Sequence, residues 1–337
     1  MDIRTAIAEL IQRHDLSEAD MEQVVLAMMA GEASAAQIAG LLVALRMKGE
    51  RVEEIAGAAR AMRRHATPMP PLGDVVDTCG TGGDMRNTFN ISTAAAFIAA
   101  GAGVRIAKHG NRAMSGAVGG ADVLEALGVR IDLSAERVAA CIETAGIGFL
   151  FAQTFHPAMR HVAPVRRELG VRTVFNLLGP LTNPAGARRQ LVGVFAREWV
   201  EPLAHALARL GGERALVVHG DDGLDELSLT GPSTIAELCD GTVRVVRFAP
   251  ADAGLDPCPA AALAGGTAAD NAAIVRAILA GTATAAQRDI GLLNAGAVLY
   301  VGGVADGIAA GVELARRTVA GGAALAKLEA LVEVSNR

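Results

Sequence analysis

An apolar run, a polar glycine turn and an alanine-rich run succeed one another between Gly73 and Gly103: "GDVVDTC", "GTGGDMRNTFNI" and "STAAAFIAAGAG". A short strand that empties into a glycine loop and then into a helix must cross back over its own sheet to continue. The order therefore predicts a βα unit. The same texture recurs downstream. "VRIAKHG" reads as a strand running into a loop, "ADVLEALG" as a helix and "VRIDL" as a strand. "SAERVAACIETAG" reads as a helix capped by Ser134, "IGFLFA" as a strand, and "RALVVHG" as a strand leading into "DDGLDE". The expected fold class is α/β with a mostly parallel central sheet. Ligands of such sheets bind beyond the carboxyl ends of the strands. The polar loops that start near Cys79, Lys108 and Gly220 should thus cluster at one edge.

Upstream the texture is purely helical. Ser17 opens "SEADMEQVVLAMMAG" with Asp20 in the capping position and Gly31 as the stop. Ser34 and Gln37 make a capping box for "SAAQIAGLLVALRMKG", whose Ile38, Leu41, Leu42 and Leu45 form a stripe at helical spacing. A third helix, "VEEIAGAARAMRRHA", ends at the prolines of "TPMPP". This predicts a small all-helical domain over residues 1–70 and an α/β domain over 71–337. A later helical segment near 166–190 is expected to pack on the first domain, with the ligand site in the cleft between the two. Such a small helical block cannot bury all its apolar surface alone, so it should pack on the rest of the chain and on a second subunit.

Bulk properties remove several classes. With 51% hydrophobic and 20% charged residues the chain suits a filled core rather than disorder. A net charge of −5 offers no broad basic field for nucleic acid. The first residues carry charges and lack a long apolar core, unlike a secretory signal. The most apolar late stretch, "AGAVLYVGGVADGIAAGVELA", is broken by Asp306 and by glycines, so no membrane span is expected. Cys79, Cys141, Cys239 and Cys258 form no C-x-x-C and no zinc pattern. They read as reduced thiols of a cytoplasmic protein, with Cys79 as a small residue at a strand end.

The polar loops point to phosphate. Gly80-Thr81-Gly82-Gly83-Asp84 lets backbone N–H groups approach an anion, and the helix after it aims its positive end the same way. Asn90, Ser92 and Thr93 add side-chain donors. No Walker lysine follows the glycines. The second loop, "KHGNRAMSGAVGGAD", gathers Lys108, His109, Asn111, Arg112 and Ser115. Lysine is rare in this chain, occurring only at positions 48, 108 and 327, which makes Lys108 conspicuous. The third, "HGDDGLDELSL", places Asp225 and Glu226 where a Mg²⁺ ion bridging to phosphate would need carboxylates. Asp221 and Asp222 compete for that role on spacing alone. In the fourth segment Arg160, Arg166, Arg167 and Arg172 recur on a helical pattern. An arginine at a site reads a carboxylate or phosphate, and most of these four suit helix–helix salt bridges.

With these motifs in order the chain resembles the anthranilate phosphoribosyltransferases of tryptophan biosynthesis, which belong to the nucleoside phosphorylase-like phosphoribosyltransferases. The matching stretches are "KGE…EEIAGAARAMR", "GTGGD…NTFNIST", "KHGNRAMS", "ADVLEALG", "HPAMRHVAPVRRELGVRTVFNLLGPLTNP" and "DGLDELS", which span nearly the whole length. The resemblance implies transfer of phosphoribosyl from phosphoribosyl pyrophosphate (PRPP) to the amine of anthranilate, with release of pyrophosphate. It assigns PRPP to Gly80, Gly83, Asp84, Thr88, Asn90, Ile91, Ser92 and Thr93. Lys108, His109, Gly110, Asn111, Arg112, Ala113, Met114, Ser115 and Gly116, with Gly120, would close around the same ligand. Ser92, Asp225 and Glu226 would serve Mg²⁺. Gly80, Asn111 and Arg166 would meet anthranilate, His109 and His156 would line its tunnel, and no residue is assigned as a general base. The helical lobe would form a homodimer.

One stretch departs from the family. Val118 stands where a serine is usual and Ala117 offers no charge, which implies weaker PRPP binding. Two rival functions fit parts of the pattern: a nucleoside phosphorylase, and a binding-only paralogue. Intact Lys108, Arg166, Asp225 and Glu226 and the acidic net charge oppose the latter.

Overall fold

The computed structural model describes residues 1–113 and 118–337. Met114, Ser115, Gly116 and Ala117 lie outside the described residues, and with them three of the expected PRPP contacts.

Four helices open the chain: α1 (Ile3–Ile11), α2 (Glu18–Ala30), α3 (Ala35–Lys48) and α4 (Val52–His65). Their starts are chemically defined. Asp2, Ser17 and Ser34 accept from the backbone N–H groups of Thr5, Asp20 and Gln37, and Gln37 returns a bond to Ser34. Gly31 ends α2 in the left-handed region at φ 79°. Helices α2 and α4 approach closely because α4 carries Gly57; a Cβ there would lie 2.3 Å from the Glu18 carbonyl oxygen. A buried ion pair fixes the other end. Lys48 Nζ lies 2.9 Å from Glu54 Oε2, and the Leu16 N–H donates to Glu54 Oε1 at 2.9 Å.

The larger lobe carries β1 (Val76–Gly80), α5 (Ile91–Gly101), β2 (Ile106–Gly110), α6 (Gly120–Ala126), α7 (Ala135–Ala145) and β3 (Ile147–Phe151). Short helices α8 (Ala152–Phe155), α9 (Ala163–Leu169) and α10 (Phe175–Leu178) follow, then β4 (Arg189–Gly193), α11 (Val200–Arg209) and β5 (Arg214–Gly220). A hairpin of β6 (Ser233–Cys239) and β7 (Thr242–Phe248) precedes α12 (Ala268–Leu279), α13 (Ala285–Val301), α14 (Ile308–Ala320) and α15 (Ala323–Asn336). The sheet runs β3-β2-β1-β4-β5-β6-β7. The first five strands are parallel and the hairpin is antiparallel. The strand order reverses between β1 and β4, the topological position where α/β sheets open a ligand crevice.

Two apolar cores flank the sheet. One joins α5, α7 and α13 to a sheet face. The other runs from the four N-terminal helices through Val162, Val165, Phe175 and Leu178 to Val192, Val217 and α11 on the opposite face. The helical block therefore buries its apolar stripes on the rest of the chain, and the segment from Pro157 to Leu181 lies in that seam.

Two sequence expectations fail. "VRIDL" is no strand. Val129, Ile131 and Leu133 are buried in alternation, but the segment pairs with no other strand, and the Arg130 N–H donates to Ser335 Oγ. One-sided burial reproduces the period of a strand without a sheet. The four arginines also do not share a helix. Arg160 lies on a 3₁₀ turn, Arg166 and Arg167 on α9, and Gly170 at φ 62° ends α9 before Arg172. In place of salt bridges, Arg166 lies over the Phe175 ring and Arg172 over the Phe195 ring.

Because Gly57 touches backbone rather than a movable side chain, Gly57→Ala should lower stability by about 1–3 kcal/mol. A denaturant midpoint unchanged from the parent would contradict this packing.

Candidate functional site

The site is built at the carboxyl ends of β1, β2, β4 and β5. Its floor is Asp77, fully buried on β1, which accepts from the His109 N–H at 3.0 Å. Burial pushes the Asp77 carboxyl up; bonds from Asn183 and the His109 backbone, and the Lys108 charge, oppose that. Lys108, 4% exposed on β2, reaches across to β1. Its Nζ donates to the Thr78 carbonyl and to Ser92 Oγ at 3.1 Å. Burial lowers its pKa, against the raising effect of Asp77, Cys79 and Glu226.

Asp225 and Glu226 lie over this floor. The chain at Asp225 crosses the end of β4 so closely that a Cβ on Gly193 would lie 1.5 Å from the Asp225 carbonyl oxygen. Gly80 admits the side chain, since its Cβ would sit 2.6 Å from Asp225 Oδ2. The Gly82 N–H donates to that oxygen at 3.0 Å, and the Asp225 N–H to Asp84 Oδ2 at 3.4 Å. The Ser92 backbone N–H serves Glu226. Asp225 is pushed up to about 7, first by burial and then by Asp84. Glu226 is pushed up to about 8, first by burial and then by Asp225. The pocket is short of positive charge. The acidic groups facing it offer only oxygens to a cation, and among the described residues no group of three or more His, Cys, Asp or Glu is arranged to hold a metal ion by itself. Asp221 and Asp222 are engaged elsewhere. Asp221 pairs with Arg247, and Asp222 accepts from Ser228 Oγ at 2.8 Å and Thr230 Oγ1 at 2.6 Å.

The first loop is braced from outside. The Thr81 N–H donates to the Gly193 carbonyl, and Thr81 Oγ1 accepts from the Phe195 N–H at 3.0 Å. Arg172 stacks on Phe195, 4.1 Å from the ring centre, and bonds the Gly83 carbonyl. Thr88 bridges to Ala264, while Ile91 and Thr93 are buried at the start of α5. In the second loop Asn111 Oδ1 accepts from the Arg112 N–H at 2.8 Å, and a Cβ on Gly110 would meet Phe149 at 2.8 Å. The Arg112 guanidinium is held by Asp122 and Glu125 of α6, and the Ala113 N–H faces Asp122 Oδ2 at 3.4 Å. Gly120 opens α6 near Thr93; a Cβ there would lie 3.9 Å from Thr93 Oγ1, an ordinary contact. Val118 is half-buried against the core of the larger lobe, which gives its apolar side chain a packing use.

On the side of the helical lobe His109 and His156 stack edge to face, 5.2 Å between ring centres. His109 Nδ1 lies 3.2 Å from the Gly179 carbonyl, so it carries the proton. Its buried Nε2 has no partner among the described residues. Arg166, on α9, is 5.4 Å from the Phe175 ring centre, and burial lowers its pKa. Sequence reasoning missed Asp77, Asn183, Thr81 and the bracing role of Arg172. A carboxylate inside the apolar run "VVDTC" was the one available signal.

Burial lowers His109 to about 3, with His156 adding to it, and lowers His156 to about 4. Unfolded histidines take up protons near 6.5, while these two do not until far lower pH. Stability is therefore full above pH 6.5 and falls as pH drops toward 3. Ring ¹⁵N spectra at pH 5 should show two neutral histidines, and His156→Phe should shrink the stability loss between pH 6.5 and 5. Charged rings at pH 5 would contradict the burial.

A glycosyl transferase family model for an a/b domain matches residues 72–325, and one for a helical bundle domain matches 4–66. The anthranilate phosphoribosyltransferase of Rubrobacter xylanophilus is 57% identical over 99% of this chain and 98% of its own length. That of Chloroflexus aggregans is 55% identical over 99% of both. Among solved structures, the anthranilate phosphoribosyltransferase of Thermus thermophilus superimposes with a TM-score of 0.93 at 49% identity, over 98% of this chain and 99% of that one. The Saccharomyces cerevisiae enzyme in complex with PRPP and Mg gives 0.92 at 28% identity, over 99% and 98%. The same yeast enzyme in complex with 4-fluoroanthranilate gives 0.89. Two domains of matching kind, joined in the same order over the full length, show that the chain belongs to the anthranilate phosphoribosyltransferases, a family of glycosyltransferases.

Proposed function

We propose that this chain transfers the phosphoribosyl group of PRPP to the amine of anthranilate, giving N-(5-phosphoribosyl)anthranilate and pyrophosphate, as a Mg²⁺-dependent step of tryptophan biosynthesis. The observation that carries the reading is the uncompensated carboxylate pair Asp225 and Glu226 beside Lys108, beneath a glycine loop. The yeast relative's complex with PRPP and Mg supports it.

The first loop, from Gly80, Gly83 and Asp84 through Thr88, Asn90, Ile91, Ser92 and Thr93, binds PRPP with backbone N–H groups and hydroxyls. Lys108, His109, Gly110, Asn111, Arg112 and Ala113 of the second, with Gly120, contribute to the same site, and Met114, Ser115 and Gly116 are assigned to it by the resemblance alone. Asp225, Glu226 and the Ser92 hydroxyl would hold Mg²⁺, which when bound offsets negative charge on pyrophosphate. The reaction breaks the bond from the anomeric carbon to the pyrophosphate oxygen and forms one to the anthranilate nitrogen, which sheds a proton. The loop amides stabilise the departing charge. No terminal phosphoryl is transferred, so the missing Walker lysine is no defect. The aromatic amine is neutral at pH 7, so its lone pair needs no strong base. Positioning carries much of the rate; well-oriented reactants gain roughly 7–11 kcal/mol. Gly80, Asn111 and Arg166 receive anthranilate, with Arg166 at its carboxylate and the paired histidines along the tunnel.

The working division is a helical domain of residues 1–70, packed with the segment near 166–190, and an α/β domain of 71–337. Exposed Met1, Ile11, Val43 and Met47 on the helical lobe suit a homodimer face. Among the described residues no helix is long and apolar enough to cross a membrane. A biosynthetic role on small soluble substrates suits a cytoplasmic enzyme.

Mixing the protein with PRPP, Mg²⁺ and anthranilate should extinguish anthranilate fluorescence only when all three are present. Absence of loss, with phosphate-dependent cleavage of nucleosides instead, would favour the phosphorylase reading. Arg166→Ala should raise the anthranilate KM at least tenfold, about the worth of a charge-assisted bond, with little change for PRPP. Asp225→Asn combined with Glu226→Gln should lower magnesium-dependent turnover about 100-fold or more. Equal effects of Arg166→Ala on both substrates would contradict its placement.

A further inference from the structure

The donor loop is steadied at its far end by a residue that no motif singles out. Asn271 stands near the start of α12 and is 2% exposed. Its Oδ1 accepts from the Gly266 N–H at 2.8 Å, and its Nδ2 donates to Asn90 Oδ1 at 3.1 Å. The first contact dictates the second. A backbone N–H can only donate, so the amide oxygen of Asn271 faces Gly266 and its NH₂ faces Asn90. Asn90 must answer with its own oxygen. The group it has left for a ligand is then its NH₂, a donor, which is the polarity an anion requires.

Asn90 is the N-cap of α5, yet its side chain makes no cap bond. Asparagine in that position ordinarily accepts from a first-turn N–H. Here the amide is diverted to Asn271. The turn that delivers Gly266 is pressed against the same loop. A Cβ on Gly265 would lie 2.7 Å from Asn271 Oδ1 and 2.8 Å from the Phe89 nitrogen, and the Gly265 N–H donates to the Asn87 carbonyl at 2.8 Å.

We propose that Asn271 is a positioning residue that fixes the polarity of Asn90, so that the loop presents an N–H donor to the phosphorylated substrate. The inference rests on the reading of this site as the PRPP site.

Asn271→Asp is nearly isosteric and keeps the bond from Gly266, but it turns an oxygen toward Asn90. Asn90 then rotates its NH₂ inward and its oxygen toward the anion. Asn271→Ala leaves Gly266 unpaired but imposes no wrong polarity. A purely structural residue suffers more from alanine; a polarity-setting one suffers more from aspartate. Calorimetry with PRPP and Mg²⁺ should show binding weakened about 10- to 100-fold in Asn271→Asp and less than tenfold in Asn271→Ala. The anthranilate KM should stay within about twofold in both. In an Asn90→Ala background, Asn271→Asp should add almost nothing. An alanine effect equal to or above the aspartate effect, or an aspartate effect that persists in full without the Asn90 amide, overturns the inference. Parent protein that binds no PRPP overturns the site reading itself, and the inference with it. Should Asn271→Asp fail to fold, side-chain amide spectra of the parent decide: PRPP should shift the Asn90 NH₂ signals and leave those of Asn271 in place, and the reverse result overturns the inference.

Discussion

The site depends on one buried ammonium group. Lys108 enters from β2 and is almost fully enclosed, bonded to the Thr78 carbonyl and to Ser92 Oγ. Burying a charge is unfavourable unless opposite charge surrounds it. Asp77 below and Glu226 above supply that charge, and each acts to keep the lysine protonated. The arrangement joins β1, β2 and the start of α5 to the loop after β5. Around Lys108 the acidic side chains outnumber the basic ones, an imbalance that the divalent ion proposed for this site would offset.

Close backbone approach makes this geometry possible. Gly193 and Gly80 leave room for Asp225 where any side chain would collide. Gly82 then donates to the same carboxylate, so the loop proposed to receive phosphate also aims the carboxylate proposed to hold the metal. The acceptor side is carried differently. Of the residues proposed for it, Arg166 sits on the segment from Pro157 to Leu181, which shares a core with the four N-terminal helices, while Gly80 and Asn111 belong to the strand-end loops. Arg172 is one link between the two sides, stacking on Phe195 and bonding Gly83; His109, bonded to the Gly179 carbonyl, is another.

Strands β1, β2 and β5 were legible because each empties into a glycine-bearing polar loop at its carboxyl end; β3 was read from its apolar run, and β4 was not read at all. The helical lobe was legible from caps such as Ser34 and Gln37. The segment "VRIDL" misled because an apolar face pressed on a core has the same period as a strand in a sheet. The hairpin of β6 and β7 gave little signal, since β7 lies at the sheet edge with most of its residues exposed. In the site, glycine loops and adjacent acids announced themselves by composition. The choice between Asp221 and Asp225 was closed to spacing, because it depends on Arg247 and Ser228, which arrive from other parts of the fold. Asn271 was invisible for the same reason: 181 residues separate it from the side chain it orients.

The central claim is that Asp225 and Glu226, rather than Asp221 and Asp222, are the carboxylates left open for a divalent ion shared with PRPP. Crystals grown with PRPP and Mn²⁺ in place of Mg²⁺ test it directly through the anomalous signal of manganese. The account predicts manganese peaks within bonding distance of the Asp225 and Glu226 carboxylates and of the pyrophosphate oxygens. Peaks at Asp221 and Asp222, or PRPP bound with no manganese beside Asp225 and Glu226, would contradict it.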